Sequence, residues 1–175
     1  MFNKADIEKY FSAEKTFSGI FMIVAAAAIV LAIVLFFAGK SNAYKGAAVV
    51  IVVLSIIQLA ASYTVYKRSD GDRKRLTYAY DMNPPLLKNT ELPRMEKVEK
   101  TFTILLIGEV VLLLAGIGLF LYFKDNEQLA FWKGLGLALA IEAAVMLGAD
   151  MYAKSNAGTY IKGLKLYAEA PASAV

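Results

Sequence analysis

Five polar side chains stand where polar side chains are costly. Ser55, Gln58 and Ser62 interrupt one long apolar run, Glu109 another and Glu142 a third. A charged side chain at the centre of a membrane span costs about 2.5–3.5 kcal/mol on the insertion scale. Ionisable groups at that depth face a protein interior, a pairing partner or a water-filled cavity. The chemistry open to this set is narrow. Carboxyls exchange protons, coordinate cations or hold basic ligands, and the amide and hydroxyls orient them by hydrogen bonding. Asp150 lies near the end of a fourth apolar run, where it reads as a capping or snorkelling side chain.

Spacing groups these residues. Ser55, Gln58 and Ser62 follow at i, i+3 and i+7 and share one helix face, which Tyr66 continues. Such a face should turn toward other helices rather than lipid. Glu109 comes seven residues after Phe102, Gln58 eight before Tyr66, and Glu142 ten before Tyr152. At 1.5 Å per residue these are depths of about 10, 12 and 15 Å. Three helices are therefore expected to place polar groups in one layer. Gly108, Gly116, Ala138 and Ala149 would let the helices approach there. No Lys or Arg lies at this depth, so the carboxyls must be protonated and hydrogen-bonded, hydrated, or filled by a cation. The functional reading is a proton- or cation-handling site, or a pocket for a basic amphiphile. The structural alternative is a set of interhelical hydrogen bonds that fixes the bundle.

The elements that must carry these residues follow from composition. The chain has 175 residues, of which 58% are hydrophobic and 19% charged, and its mean hydropathy is +0.52. Soluble domains are about 45–50% apolar. Residues 17–38, 46–66, 102–123 and about 130–152 each match the roughly 20 residues a spanning helix needs. A spanning strand needs only about 9–11, so all four read as helices. The connections at 39–45 and 124–128 are short and imply two antiparallel hairpins. The expected fold is an all-α membrane protein, a four-helix bundle of four transmembrane helices in a single domain.

Basic residues set the orientation. Of 19 Lys and Arg, only Lys40, Lys45, Lys124 and Lys133 lie on the short-loop side; the other fifteen lie in the two tails and the 67–100 segment. The positive-inside bias then makes both termini and the middle segment cytoplasmic, in a bacterial inner membrane. This asymmetry also accounts for the formal net charge of +4, leaving no reason to expect nucleic acid as a partner. Residues 2–16 carry Asp6, Glu8 and Glu14 among the lysines and are not expected to be a cleavable signal. Asn3 and Asp6 fit a capping box, with Phe2 and Ile7 as its staple. A short interfacial helix with Ile7, Tyr10 and Phe11 on one face should lead into the first span. Leu92, Met95, Val98 and Phe102, with Pro93 near the start, predict another before the third.

The two halves resemble each other. Glu14-Lys15-Thr16-Phe17 enters span one and Glu99-Lys100-Thr101-Phe102 enters span three. Tyr44-Lys45-Gly46 opens span two and Trp132-Lys133-Gly134 opens span four. The units are about 1–80 and 92–168, joined by a linker at about 81–91 that includes Asn83-Pro84-Pro85. With two spans per unit, both enter the membrane in the same direction, which makes them parallel repeats.

Other classes are excluded or weak. The chain contains neither Cys nor His, which removes thiolate nucleophiles, iron–sulfur clusters, haem or copper imidazoles and Ser-His pairs. No catalytic set, metal site or cofactor is expected. Asp70-Gly71-Asp72 reads as a solvated turn, and Arg73, Lys74 and Arg75 are candidates for lipid headgroups. The expected partners are the bilayer itself and either a second copy or another membrane protein. Two functions fit: proton- or cation-linked binding or transport of a small ligand, or a non-catalytic membrane interaction protein such as a complex subunit, assembly factor or toxin-immunity protein.

Overall fold

A computed structural model describes residues 2–169, and these are helical almost throughout. Helix α1 spans Lys4–Ala38 and α2 spans Asn42–Met82. A single turn, α3 (Pro84–Leu86), and a π-helical turn at Leu87–Glu91 lead into α4 (Leu92–Phe123). A 3₁₀ turn at Glu127–Leu129 precedes α5 (Ala130–Glu169). Four of the helices are long and apolar enough to cross a membrane.

Local signals place the ends. The Asn3 side chain accepts from the Ala5 N–H at 2.8 Å, and the Asp6 carboxylate accepts from the Asn3 N–H at 2.8 Å, so the predicted capping box forms. Ser41 caps α2 through the Ala43 N–H at 3.2 Å, and Asn126 accepts from the Gln128 and Leu129 N–H groups. Asn83 stops α2 because a residue before proline is pushed out of the helical region; its φ and ψ are −150° and 64°. The proline pair then starts the next turn, where missing N–H groups cost nothing.

The helices are longer than a bilayer requires. Helix α2 has 41 residues, about 60 Å, against a hydrocarbon core of about 30 Å. The surplus lies at the end carrying both termini, since α1 stops and α2 restarts within a few residues at the other. This corrects two expectations. The segments before the first and third apolar runs are not separate surface helices but continue α1 and α4 without a break. No proline or glycine separates them from the runs they enter, so nothing turns the chain aside. Asp70-Gly71-Asp72 likewise lies inside α2 and is not a turn.

Beyond the apolar stretches these extensions build a core of their own. Phe2, Ile7, Phe11, Leu76, Leu87, Met95, Tyr160, Ile161 and Leu164 pack together there. The 81–91 segment takes part, with Leu87 and Glu91 buried. Phe2 meets the rings of Tyr160 and Tyr167, each at 5.8 Å, which ties the start of α1 to the end of α5.

Within the apolar stretches α1 packs along α2, α2 along α5 and α5 along α4. Helices α1 and α4 flank the α2–α5 pair and do not pack along each other. Buried positions recur every seven residues on α1, at Phe11, Ser18, Ala25 and Ala32. Met95, Glu109 and Gly116 keep the same spacing on α4, with half-buried Phe102 between. A strict seven-residue seam implies left-handed supercoiling. At the far end α2 and α5 touch backbone to backbone. A Cβ on Gly46 would lie 2.0 Å from the Phe131 carbonyl oxygen, and one on Gly134 would lie 1.9 Å from that of Ala43. Gly116 is also held against the Ala140 backbone, at 2.5 Å, whereas Gly108 has open space around it and mediates no approach. The outer surface is apolar, with Ile23 72% and Phe37 80% exposed.

Candidate functional site

The polar residues divide between the α2–α5 and α4–α5 contacts. Gln58 on α2 donates from Nε2 to Oε2 of Glu142 on α5 at 3.4 Å. Glu109 on α4 does not join them. Its charged neighbour is instead Asp150 of α5. The Glu109 side chain is only 3% exposed, and no protein donor reaches either oxygen. Helix order explains the division: α4 packs on α5 and not on α2, so Gln58 lies beyond the reach of Glu109.

Asp150 is the residue that sequence reasoning set aside. Its expected depth differs from that of Glu109 by about 7 Å. Side-chain direction removes part of that offset. Cα–Cβ bonds tilt toward the helix N-terminus, and α4 and α5 run antiparallel. Glu109 thus leans toward the terminal end and Asp150 leans away from it, so the two converge. A signal was present in the sequence. Ala143, Asp150, Ala157 and Leu164 are spaced by seven, and the other three are buried, which puts Asp150 on the inward seam.

Ionised carboxylates are acceptors only. Two of them in contact need a proton or a cation between them. Ser55 is fully buried, and its hydroxyl has no protein partner. Ser62, one turn beyond Gln58, lines a cavity. The predicted polar face of α2 therefore divides between the helix seam at Ser55 and Gln58 and this cavity at Ser62.

The cavity, about 350 Å³, fills the gap between α1 and α4. Phe17 and Phe21 of α1, Phe102 of α4 and Tyr152 of α5 line it, and Asp150 stands on its wall. Phe17 packs against both Phe21 and Tyr152 with ring centroids at 4.8 Å. An ion-pair cluster closes the terminal end. Arg68 donates to one Glu14 oxygen at 2.9 Å, Ser69 donates to the other at 2.9 Å, and the Tyr10 hydroxyl donates to Glu14 at 3.4 Å. The Tyr10 ring stacks on Tyr160 with centroids 4.3 Å apart and planes at 4°. Burial, reinforced by the Glu14 carboxylate, pushes the Tyr10 hydroxyl well above its ordinary range. Arg68, the basic residue of the lining, is thus already committed to Glu14.

The basic run on α2 is partly used within the protein. Arg73 pairs with Asp70 at 3.4 Å and donates to the Ser12 hydroxyl at 3.2 Å, while Arg75 pairs with Asp72 at 3.0 Å. Lys74 has no ion-pair partner among the described residues. A further pair was not anticipated: Arg94 grips the Glu91 carboxylate with two bonds of 2.8 and 2.7 Å. Glu91 is 1% exposed, and the i,i+3 spacing on successive helical turns was the available signal. Comparison with protein families, curated proteins and solved structures yields no match.

Proposed function

We propose that this is an integral membrane protein of a bacterial inner membrane with both termini cytoplasmic, and that it handles a proton or small cation at an acidic intramembrane site. The site is the Glu109–Asp150 carboxyl pair, with Glu142 and Gln58 as a second polar pair nearby. Exchange of the bound proton for a small ligand would support binding or transport. The observation that carries this reading is a buried carboxyl, Glu109, beside a half-buried one, Asp150, which stands on the wall of a cavity whose one basic residue is already neutralised. Neutral interhelical bonding alone leaves the cavity unexplained. The four helices are read as two parallel-repeat hairpins. Support comes from the reciprocal glycine contact: Gly46 meets Phe131 and Gly134 meets Ala43, each three residues before the other glycine.

Flux and binding in proteoliposomes test the proposal. Glu109→Gln and Asp150→Asn, singly and together, should abolish pH-dependent uptake while the protein still assembles. If stability falls but uptake persists in the double variant, the pair is structural. Gentle extraction followed by mass measurement separates transport from an interaction role: a monomer or homo-oligomer is expected, and a stoichiometric unrelated partner would favour the latter.

A further inference from the structure

The cavity between α1 and α4 carries more than a place for a proton, and its walls specify a ligand class. Resting on the acidic-site reading above, we infer that it binds a monovalent organic cation bearing an apolar or aromatic body. Three features converge on that class. The first is size. A volume of about 350 Å³ falls at the lower end of small-molecule pockets and far exceeds what a hydrated proton or a bare metal ion needs.

The second is surface chemistry. Phe17, Phe21, Phe102 and Tyr152 present rings from three helices, and aromatic faces attract organic cations when water is excluded. Ser18, Ser62, Thr101 and Asn156 add oxygens to the wall, but most of its surface is apolar carbon, which an organic body can cover and an inorganic cation cannot.

The third is charge. The ionisable groups on the wall are Tyr10 and Glu14 from α1, Arg68 from α2, and Asp150 and Tyr152 from α5. Glu14 and Arg68 neutralise each other at 2.9 Å. Asp150 is left as the unbalanced acid, and the group behind it is another carboxyl, Glu109, which is nine-tenths buried and without a protein donor. An anion would meet two carboxyls, and a neutral ligand would not balance the charge that one shared proton leaves on them. A cation completes the set, its charge beside Asp150 and its body against the rings.

The test uses the full chain in lipid nanodiscs, with empty nanodiscs as the blank. The probe is phenyltrimethylammonium, set against tert-butylbenzene, its uncharged isostere, and benzenesulfonate, an aromatic anion. Wild type should bind the ammonium ion saturably, one per chain, and at least about tenfold more tightly than either control, a difference of about 1.4 kcal/mol. Asp150→Asn should weaken it about tenfold, and Phe17→Leu with Tyr152→Leu should weaken it by a smaller factor. The comparison of charged and uncharged isosteres needs only the wild type, so it stands even if a variant fails to fold. Equal binding of tert-butylbenzene, or undiminished affinity in Asp150→Asn, overturns the ligand class. If the ammonium ion does not bind while Glu109→Gln and Asp150→Asn still abolish pH-dependent uptake, only this inference fails. If uptake is also indifferent to both variants, the acidic-site reading fails with it.

Discussion

The two ends of the molecule are held together by different means. At the terminal end the buried residues are large: Phe2, Phe11, Leu76, Leu87, Met95, Tyr160 and Leu164. In the apolar stretches, Ile51 apart, they are small or polar: Ala25, Ala32, Ala48, Ala143, Ser55, Gln58 and Glu109. The same helices run through both regions, so helix propensity does not separate them. On the proposed membrane reading, the solvent outside does. In water, burying a large apolar side chain is the driving force. In lipid that force vanishes between helices, and close backbone approach and hydrogen bonds must replace it. Hence the large apolar side chains of the stretches, such as Ile23 and Phe37, point outward, while Ala25, Ala32, Gly46, Gly116 and Gly134 face in.

This contrast breaks most visibly at the glycines. Gly134→Val should have the largest effect. Its Cβ would sit 1.9 Å from the Ala43 carbonyl oxygen, and overpacking against backbone costs about 1–3 kcal/mol or more. We expect loss of the folded species in detergent, read by thermal melting and size exclusion. Gly108→Ala, in open space, should leave the melt unchanged. A tolerated Gly134→Val would mean that α2 and α5 do not touch there.

A paired truncation sharpens the comparison. Phe11→Ala removes a side chain that is 1% exposed and should cost about 3–5 kcal/mol. Ile23→Ala, on the same helix, exposes no cavity and should cost no more than about 0.5 kcal/mol. Reversible unfolding of both variants in one detergent checks the ratio. Similar costs would deny that the two regions differ.

The smallest effect is a pH response confined to one region. Burial raises the Tyr10 and Tyr160 hydroxyls above their ordinary range. In the unfolded chain they ionise near pH 10, so the stability from their neutral burial is full below that value and lost as pH rises beyond it. Amide exchange should therefore quicken at the terminal end above about pH 10 before it does in the apolar helices. Tyr10→Phe with Tyr160→Phe should blunt the response. Loosening that begins in the apolar helices would locate the sensitive groups elsewhere.

Much of this was legible from residue order alone. Read as membrane spans, the four apolar runs demand four long helices, because a backbone surrounded by hydrocarbon must satisfy its own hydrogen bonds. The Asn3–Asp6 capping box and the break at Asn83 are local, decided within a few residues. The polar residues at Gln58, Glu109 and Glu142 were visible as costly exceptions. Which of them meet was not. Sequence gives depth along a helix axis to within a turn, but neighbours depend on lateral order, and the order α1, α2, α5, α4 arises from packing between distant parts of the chain. That order separates Glu109 from Gln58, brings it to Asp150, and opens the cavity between α1 and α4. Tertiary structure likewise decided the fate of the lead-in segments. Ile7, Phe11 and Met95 mark an apolar face that suits a membrane surface or a water-side core equally well. The presence of Leu76, Leu87, Tyr160 and Leu164 on facing helices makes it a core.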